Sequence, residues 1–186
     1  AVTAFSAKAL REMRMLESQD VIEQVPNVTV ANGLLKLNPN FTIRGVASAA
    51  SVFANQPSPV AVNVDEVFLT SHALAAFNLF DLERVEVLRG PQGTLLGRNT
   101  TAGAINFVSA KPTDALMARA SLDVGRFNQT RGEAVISGPL SDIVRGRAAI
   151  LLDRSDGHLY NRVSSDDTAG IDMGAFRAML DWTPND

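Results

Sequence analysis

The glycine-rich run GPQGTLLG, Gly90 to Gly97, is the first place to look for chemistry in this sequence. Backbone N–H groups of such a loop can cradle phosphate oxygens, with a lysine and a hydroxyl completing the site. The spacing excludes that use. Only three residues separate Gly93 from Gly97, and Arg98-Asn99 stands where Lys and Ser or Thr are required. The dinucleotide fingerprint fails as well. His72 and His158 are the only histidines; they lie far apart, without a partner at metal-ligand spacing, so each reads as a loop histidine. Asp65-Glu66 and Asp166-Asp167 are carboxylate pairs, one at a strand end and one in a polar loop. Solvated or calcium-tolerant loops are their ordinary reading. No serine sits in a nucleophile elbow. There is no cysteine for a thiolate site or a disulfide. The expectation is no catalytic residue, no metal site, no cofactor and no enzyme.

Glycines that hold no ligand shape backbone. Gly90-Pro91-Gln92-Gly93 predicts a β-turn with proline second. Gly97 and Gly103 predict positive φ or close backbone approach, and Asn99 lies in the same turn-rich stretch. The elements around this run are short. Residues 3–25 read as helical: Ser6 can cap AKALREMRML, Ser18 can cap QDVIEQV, Leu10 and Met13 share a face, and Pro26 stops the second helix. NVTVAN and FTIRGV read as short strands, and SAASVFANQPSP as a loop. PVAVNVDEVFL alternates, with Val60, Val62 and Val64 on one side. RVEVLRG and GAINFVSA are strands flanking the glycine run. Residues 1–112 are therefore expected to form a small α+β domain.

From Ala115 onward the period lengthens. ALMARASLDVG places Ala118, Ala120, Leu122 and Val124 opposite Arg119, Ser121 and Asp123. DIVRGRAAILLD and DMGAFRAMLDW alternate likewise, Phe176, Ala178, Leu180 and Trp182 standing opposite Arg177 and Asp181. TRGEAVISG is a weaker fourth segment. GPLSD reads as a tight turn, and RSDGHLYNRVSSDDTAG as a long polar connection. Strands of ~10 residues with one apolar face, joined by alternating short turns and long loops, match an outer-membrane barrel; a soluble β-sandwich also alternates. With 186 residues, 46% hydrophobic and 20% charged, the chain is a folded protein. Its net charge of −3 gives no basic field for nucleic acid. No run approaches the ~18 apolar residues of a transmembrane helix. The opening AVTAFSAKALREM is not a signal peptide. It points either to a cytoplasmic protein or to a lost or processed N-terminus, and both ends read as cut.

FDLERVEVLRGPQGTLLGRNTTAGAINFVSAKP, Phe80 to Pro112, closely resembles the plug signature of TonB-dependent outer-membrane receptors. FSAKALREM and VIEQVPNVTV resemble the plug's opening helices, FTIRGV its Ile-Arg-Gly strand, and VAVNVDEVFL its Val-Asp strand. Asn63 replaces a frequent aromatic, while Glu66 and Ala102 replace frequent glycines, which puts local turn geometry in question. The resemblance implies an α+β plug domain over 1–112, followed over 113–186 by about four antiparallel β-strands of an incomplete transmembrane β-barrel. The family's closed barrel has about 22 strands.

The resemblance also implies a role. The chain would be part of an outer-membrane receptor for TonB-energised uptake of a scarce ligand, such as a ferric siderophore, with the plug gating the lumen. Its partners would be TonB, through a box this chain does not carry, the small ligand, and outer-membrane lipid around the complete barrel. Nucleic acid is not among them. Gly90, Pro91, Gly93, Gly97, Asn99 and Gly103 would be the signature turns. Arg44, Arg89 and Arg98 would pair with acidic residues of the barrel wall, or else satisfy carbonyls inside the plug. Phe53, Asn55, Gln56 and His72 would face the ligand. The alternative is a soluble periplasmic plug-like binding domain, which requires residues 113–186 to form a closed soluble sheet.

Overall fold

The computed structural model describes residues 2–32, 39–46, 58–70, 77–97, 99–156, 159–161, 166–168 and 170–184. The chain divides into two compact units, Ala1–Ala110 and Lys111–Asp186.

The first unit contains β1 (Val2–Ser6), α1 (Ala7–Glu12), α2 (Ser18–Glu23), β2 (Val28–Asn32), β3 (Pro39–Ile43), β4 (Val60–Val64), β5 (Val67–Phe68), β6 (Leu82–Arg89), α3 (Gly93–Leu96) and β7 (Gly103–Ser109). Its main sheet has the order β1-β6-β7-β4-β5, with β4 and β7 parallel and the other pairs antiparallel. β2 and β3 form a separate hairpin.

The N-terminal expectation needs correction. Residues 2–6 are a strand rather than helix, because they pair with β6 from Val2↔Leu88 to Ser6↔Arg84. Val2, Thr3 and Phe5 are strand-favouring residues, and the pairing with β6 gives them a partner. Ser6 does cap α1, accepting the Ala9 N–H at 3.3 Å. Ser18 does not cap α2. The Asp20 carboxylate accepts the N–H groups of Leu16 and Glu17 at 2.7 and 2.8 Å. Ser18 is instead fully buried, its N–H donating to Phe77 O at 3.0 Å. α1 ends at Glu12, so Met13 is exposed, and Met15 joins Leu10 in the core.

Strand register explains the core. Phe5, Val85, Phe107 and Val64 form one transverse row of the sheet, and Val87, Ile105 and Val62 the next. Val21 and Ile22 of α2, Val25 just after it, and Phe41 and Ile43 of β3 belong to the same apolar cluster. Each such side chain contributes about 1.5–3 kcal/mol by leaving water. Phe77 meets Phe107 edge-on, with ring centroids 4.8 Å apart.

The intervening row is polar. Glu86, Asn106 and Asn63 stand side by side on β6, β7 and β4. The Asn63 amide donates to Asn106 Oδ1 at 2.8 Å, and Arg84 Nε donates to Glu86 Oε1 at 2.6 Å. Arg84 also bonds Glu83. The Arg84 guanidinium, aided by the Asn106 amide, holds the Glu86 carboxyl below its ordinary range. The Asp65-Glu66 turn forms between β4 and β5, with φ of 47° and 68°, although Glu66 lacks glycine's freedom. Asp65 is not a merely solvated carboxylate: it accepts the Ser109 N–H at 2.8 Å and the Ser109 hydroxyl at 2.7 Å.

The second unit contains β8 (Met117–Val124), β9 (Thr130–Ser141), β10 (Val144–Ser155), β11 (Leu159–Asn161), β12 (Asp166–Thr168) and β13 (Ile171–Trp182). β8, β9, β10 and β13 form an antiparallel sheet of order β13-β10-β9-β8, not closed into a barrel. β9 runs through the segment expected to turn. Its register shifts beside Pro139, which cannot donate to a ladder, and the connection to β10 is Asp142-Ile143. The long polar connection carries the β11–β12 hairpin, which includes Asp166-Asp167.

Three outcomes are expected. Glu86→Gln lowers the melting temperature of the first unit at neutral pH. Because the folded pKa of Glu86 is depressed, its contribution is present above the ordinary glutamate range of ~4.3. It is lost as pH falls through the depressed value, so the gap between the two proteins closes in acid. A gap that persists at low pH would refute the assignment. Gly103→Ala destabilises by about 3 kcal/mol in denaturant titration, because the new Cβ would lie 2.2 Å from Leu88 O. At Gly97, where space is open but φ is +76°, alanine costs about 1–2 kcal/mol.

Candidate functional site

The signature stretch is an excursion between two paired strands. β6 and β7 close its base at Arg89↔Gly103. The ladder then continues upward: Gly90 N–H donates to Ala102 O at 2.8 Å and Gln92 N–H to Thr100 O at 3.0 Å. Gly90 to Gln92 are therefore paired across the excursion instead of forming the expected four-residue turn at Pro91. At the tip, α3 begins at Gly93 and is capped by Gly97, whose carbonyl accepts the Thr100 hydroxyl at 2.7 Å. Asn99 takes φ 65°, a region asparagine tolerates better than most residues. At the base, Gly103 lets Leu88 O and Ile43 Cδ1 press into the space a side chain would fill.

Arg44 and Arg89 come together beside this base. Arg44 occupies the turn after β3 with φ 54°, and its N–H donates to Asn27 O at 2.8 Å. Its exposed guanidinium would meet a Cβ on Gly90 at 3.9 Å. Arg89 donates to Pro26 O at 3.1 Å and to Thr3 Oγ1 at 3.4 Å, while its buried Nε has no partner among the described residues. For Arg89, contacts to oxygens within its own unit are thus present. Arg98, Phe53, Asn55, Gln56, His72 and His158 lie outside the described residues.

The second unit presents two chemically different faces. On one, Arg119 pairs with Glu133 at 2.6 Å, Arg131 with Asp153 at 2.7 Å, and Arg145 with Asp181 at 2.7 Å. Arg147 and Arg177 share that face by strand parity. The Arg131–Asp153 pair was not expected from the sequence. Its side chains are only 5% and 4% exposed, the most buried of these pairs. Strand parity was its only available signal, and Gly132 and Gly138 weakened the alternation of that segment. The other face is apolar and exposed, with Leu122, Leu152, Phe176, Leu180 and Trp182 each more than half exposed.

Comparison with known proteins decides what this pairing of units is. Residues 1–104 match the family described as TonB-dependent Receptor Plug Domain. The chain belongs to the TonB-dependent receptors. The pesticin receptor of Yersinia pestis is 30% identical over 187 residues, covering 99% of this chain and 27% of that protein. The ferripyoverdine receptor of Pseudomonas aeruginosa is 30% identical over 149 residues, covering 79% of this chain and 18% of that one. The crystal structure of the ferric yersiniabactin uptake receptor from Yersinia pestis superposes with a TM-score of 0.87 and 29% identity, over 100% of this chain and 29% of that one. The chain thus spans about a quarter of the length of the curated relatives it matches.

Membership of the TonB-dependent receptors places the protein in the Gram-negative outer membrane. The plug is a transport and recognition domain, not a catalytic one. The apolar face of the receptor's sheet then has dimensions to match. Outward positions of β13 are apolar or glycine from Gly174 to Trp182. That span is about 26 Å along the strand at ~3.3 Å per residue, or about 20 Å tall at a ~40° tilt, against a band of ~25 Å. Arg154 and Asp172, exposed and paired at 3.1 Å, stand in the row beyond it.

Ala178 lies within the band, in one row with Ala118, Ile136 and Ala148. Ala178→Arg in the complete receptor is expected to destabilise the folded barrel by about 2–4 kcal/mol, read by urea titration in bilayers. A cost below about 1 kcal/mol would place this face outside the hydrocarbon.

Proposed function

We propose that this chain is the front portion of an outer-membrane receptor for TonB-energised uptake of a ferric siderophore, with residues 1–112 as the plug and 113–186 as the first barrel strands. The observation that carries the reading is the two-faced sheet directly following the plug. Its apolar face suits lipid, and its arginine–carboxylate face suits a polar lumen. The relatives named for ferripyoverdine and ferric yersiniabactin support iron–siderophore complexes as the ligand class. A soluble periplasmic module would need residues 113–186 to close on themselves. An open sheet with an exposed apolar face argues against it.

In this reading the plug is held by contacts that water can replace when it shifts. Arg89 is the internal part of that latch, bridging β6 to the Pro26 carbonyl and to β1. Arg44, exposed on its turn, and Arg98 are the groups proposed to meet acidic residues of the wall. Phe53, Asn55, Gln56 and His72 are proposed to face the ligand. TonB is proposed to act on a segment outside this chain.

The test uses the complete receptor in a strain lacking its own siderophore receptors. Accumulation of radiolabelled ferric siderophores is expected with TonB and not without it. Failure across a chemically broad siderophore set would reject the iron reading. Arg89→Ala removes charge-assisted bonds worth about 2 kcal/mol together. It is expected to raise passive entry of a small antibiotic severalfold. Unchanged entry and unchanged uptake would remove Arg89 from the latch.

A further inference from the structure

The segment that joins the two units is tied down before its first strand begins. Among the described residues, the last hydrogen bond of the first unit runs from Ala110 N–H to Asp81 O at 3.0 Å. The first of the second unit runs from Thr113 N–H to the Ser137 hydroxyl at 2.9 Å. Only Lys111 and Pro112 lie between. Thr113 Oγ1 lies 2.9 Å from both Ala115 O and Ser137 Oγ, its single proton going to one of them. Ser137 Oγ in turn reaches Gly146 O on β10 at 3.3 Å. Asp114 meets Arg145 at 2.5 Å, and the same guanidinium holds Asp181 on β13 at 2.7 Å. Leu116 lies against Gly138, where an added Cβ would come within 3.0 Å of the Leu116 Cα.

We propose that Thr113–Leu116 is an anchoring clamp, with Ser137 and Arg145 as its positioning residues, that stops plug movement from peeling the first barrel strand. The β8–β9 ladder begins at Met117↔Ser137. A pull entering at Met117 would open that ladder one pair at a time, each bond carrying the whole load in turn. The clamp takes the load one step earlier and spreads it over β9, β10 and β13. Movement of residues 1–110 then ends at Lys111-Pro112. Asp114 has no packing role that would explain the contact otherwise, since its side chain is 88% exposed and Arg145 already has Asp181. The purpose of the clamp rests on the transport reading above; its existence as a cooperative lock does not.

The test is hydrogen–deuterium exchange by mass spectrometry on the purified complete receptor. Asp114→Asn combined with Ser137→Ala is expected to speed exchange of residues 113–124 about tenfold, leaving residues 144–155 unchanged. Asp114→Asn alone, at an exposed side chain, gives a smaller rise in the same peptide and guards against misfolding of the double variant. Arg154→Ala breaks an ion pair elsewhere in the same sheet and is expected to leave residues 113–124 unchanged. Unchanged exchange in both clamp variants, or an equal rise in Arg154→Ala, would overturn the clamp. In cells, the double variant is expected to be cut by added protease within residues 111–124 faster when TonB is present. Equal cutting with and without TonB would overturn its role under load. Absence of TonB-dependent uptake by the wild-type receptor would reject the transport reading while leaving the exchange result standing.

Discussion

The plug depends on how closely β6 and β7 approach at the foot of the signature excursion. Leu88 O and the Ile43 side chain both enter the space beside Gly103 that any Cβ would occupy. That contact fixes the Arg89↔Gly103 register, and with it every transverse row of the sheet. β1 adds to the free side of β6, and β4 adds in parallel to β7. Ile43, pressed into the same place, brings the β2–β3 hairpin and its Phe41 onto the core. The excursion can therefore carry a short helix and several turns, because its ends are held by a ladder that continues into it.

A second constraint runs across the same sheet. Between apolar rows lies the polar row of Glu86, Asn106 and Asn63, bonded along its length. Each polar group has a partner on the neighbouring strand, so the row costs little in desolvation and penalises a slipped register heavily. The family's frequent aromatic at the position of Asn63 is replaced here without loss of the strand. The amide's partner, Asn106, stands directly opposite it.

The second unit is organised by the opposite economy. Its pairs Arg119–Glu133, Arg131–Asp153 and Arg145–Asp181 lie on one face, Arg131–Asp153 the most buried of them. Half-satisfied buried pairs are expensive, and Asp153 Oδ1 has no partner among the described residues. Such a face suits a polar lumen. The remaining face keeps only apolar side chains and glycine until the Arg154–Asp172 row. The contrast between faces is what makes an open sheet of this kind a portion of a barrel.

The sequence by itself determined which strand residues share a face, that Gly97 and Gly103 stand where a side chain would be strained or excluded, and that Ser6 caps a helix. Those properties are local: a period of two, a glycine, a capping hydroxyl. Its α+β start and its longer alternating strands were legible for that reason. Tertiary structure alone decided partners and register. VTAFS holds strand-favouring Val, Thr and Phe but is too short to declare itself, and it became β1 because Phe5 finds Val85, far along the chain. Ser18 looked like a cap and became a buried strut, because Phe77 returns to meet it. Gly90 to Gln92 looked like a turn and became ladder, because Thr100 to Ala102 came to lie opposite. Arg131 found Asp153 through a cross-strand register that a weak alternation concealed. In each case the deciding free energy came from a group distant in sequence, and local propensity had no means of encoding it.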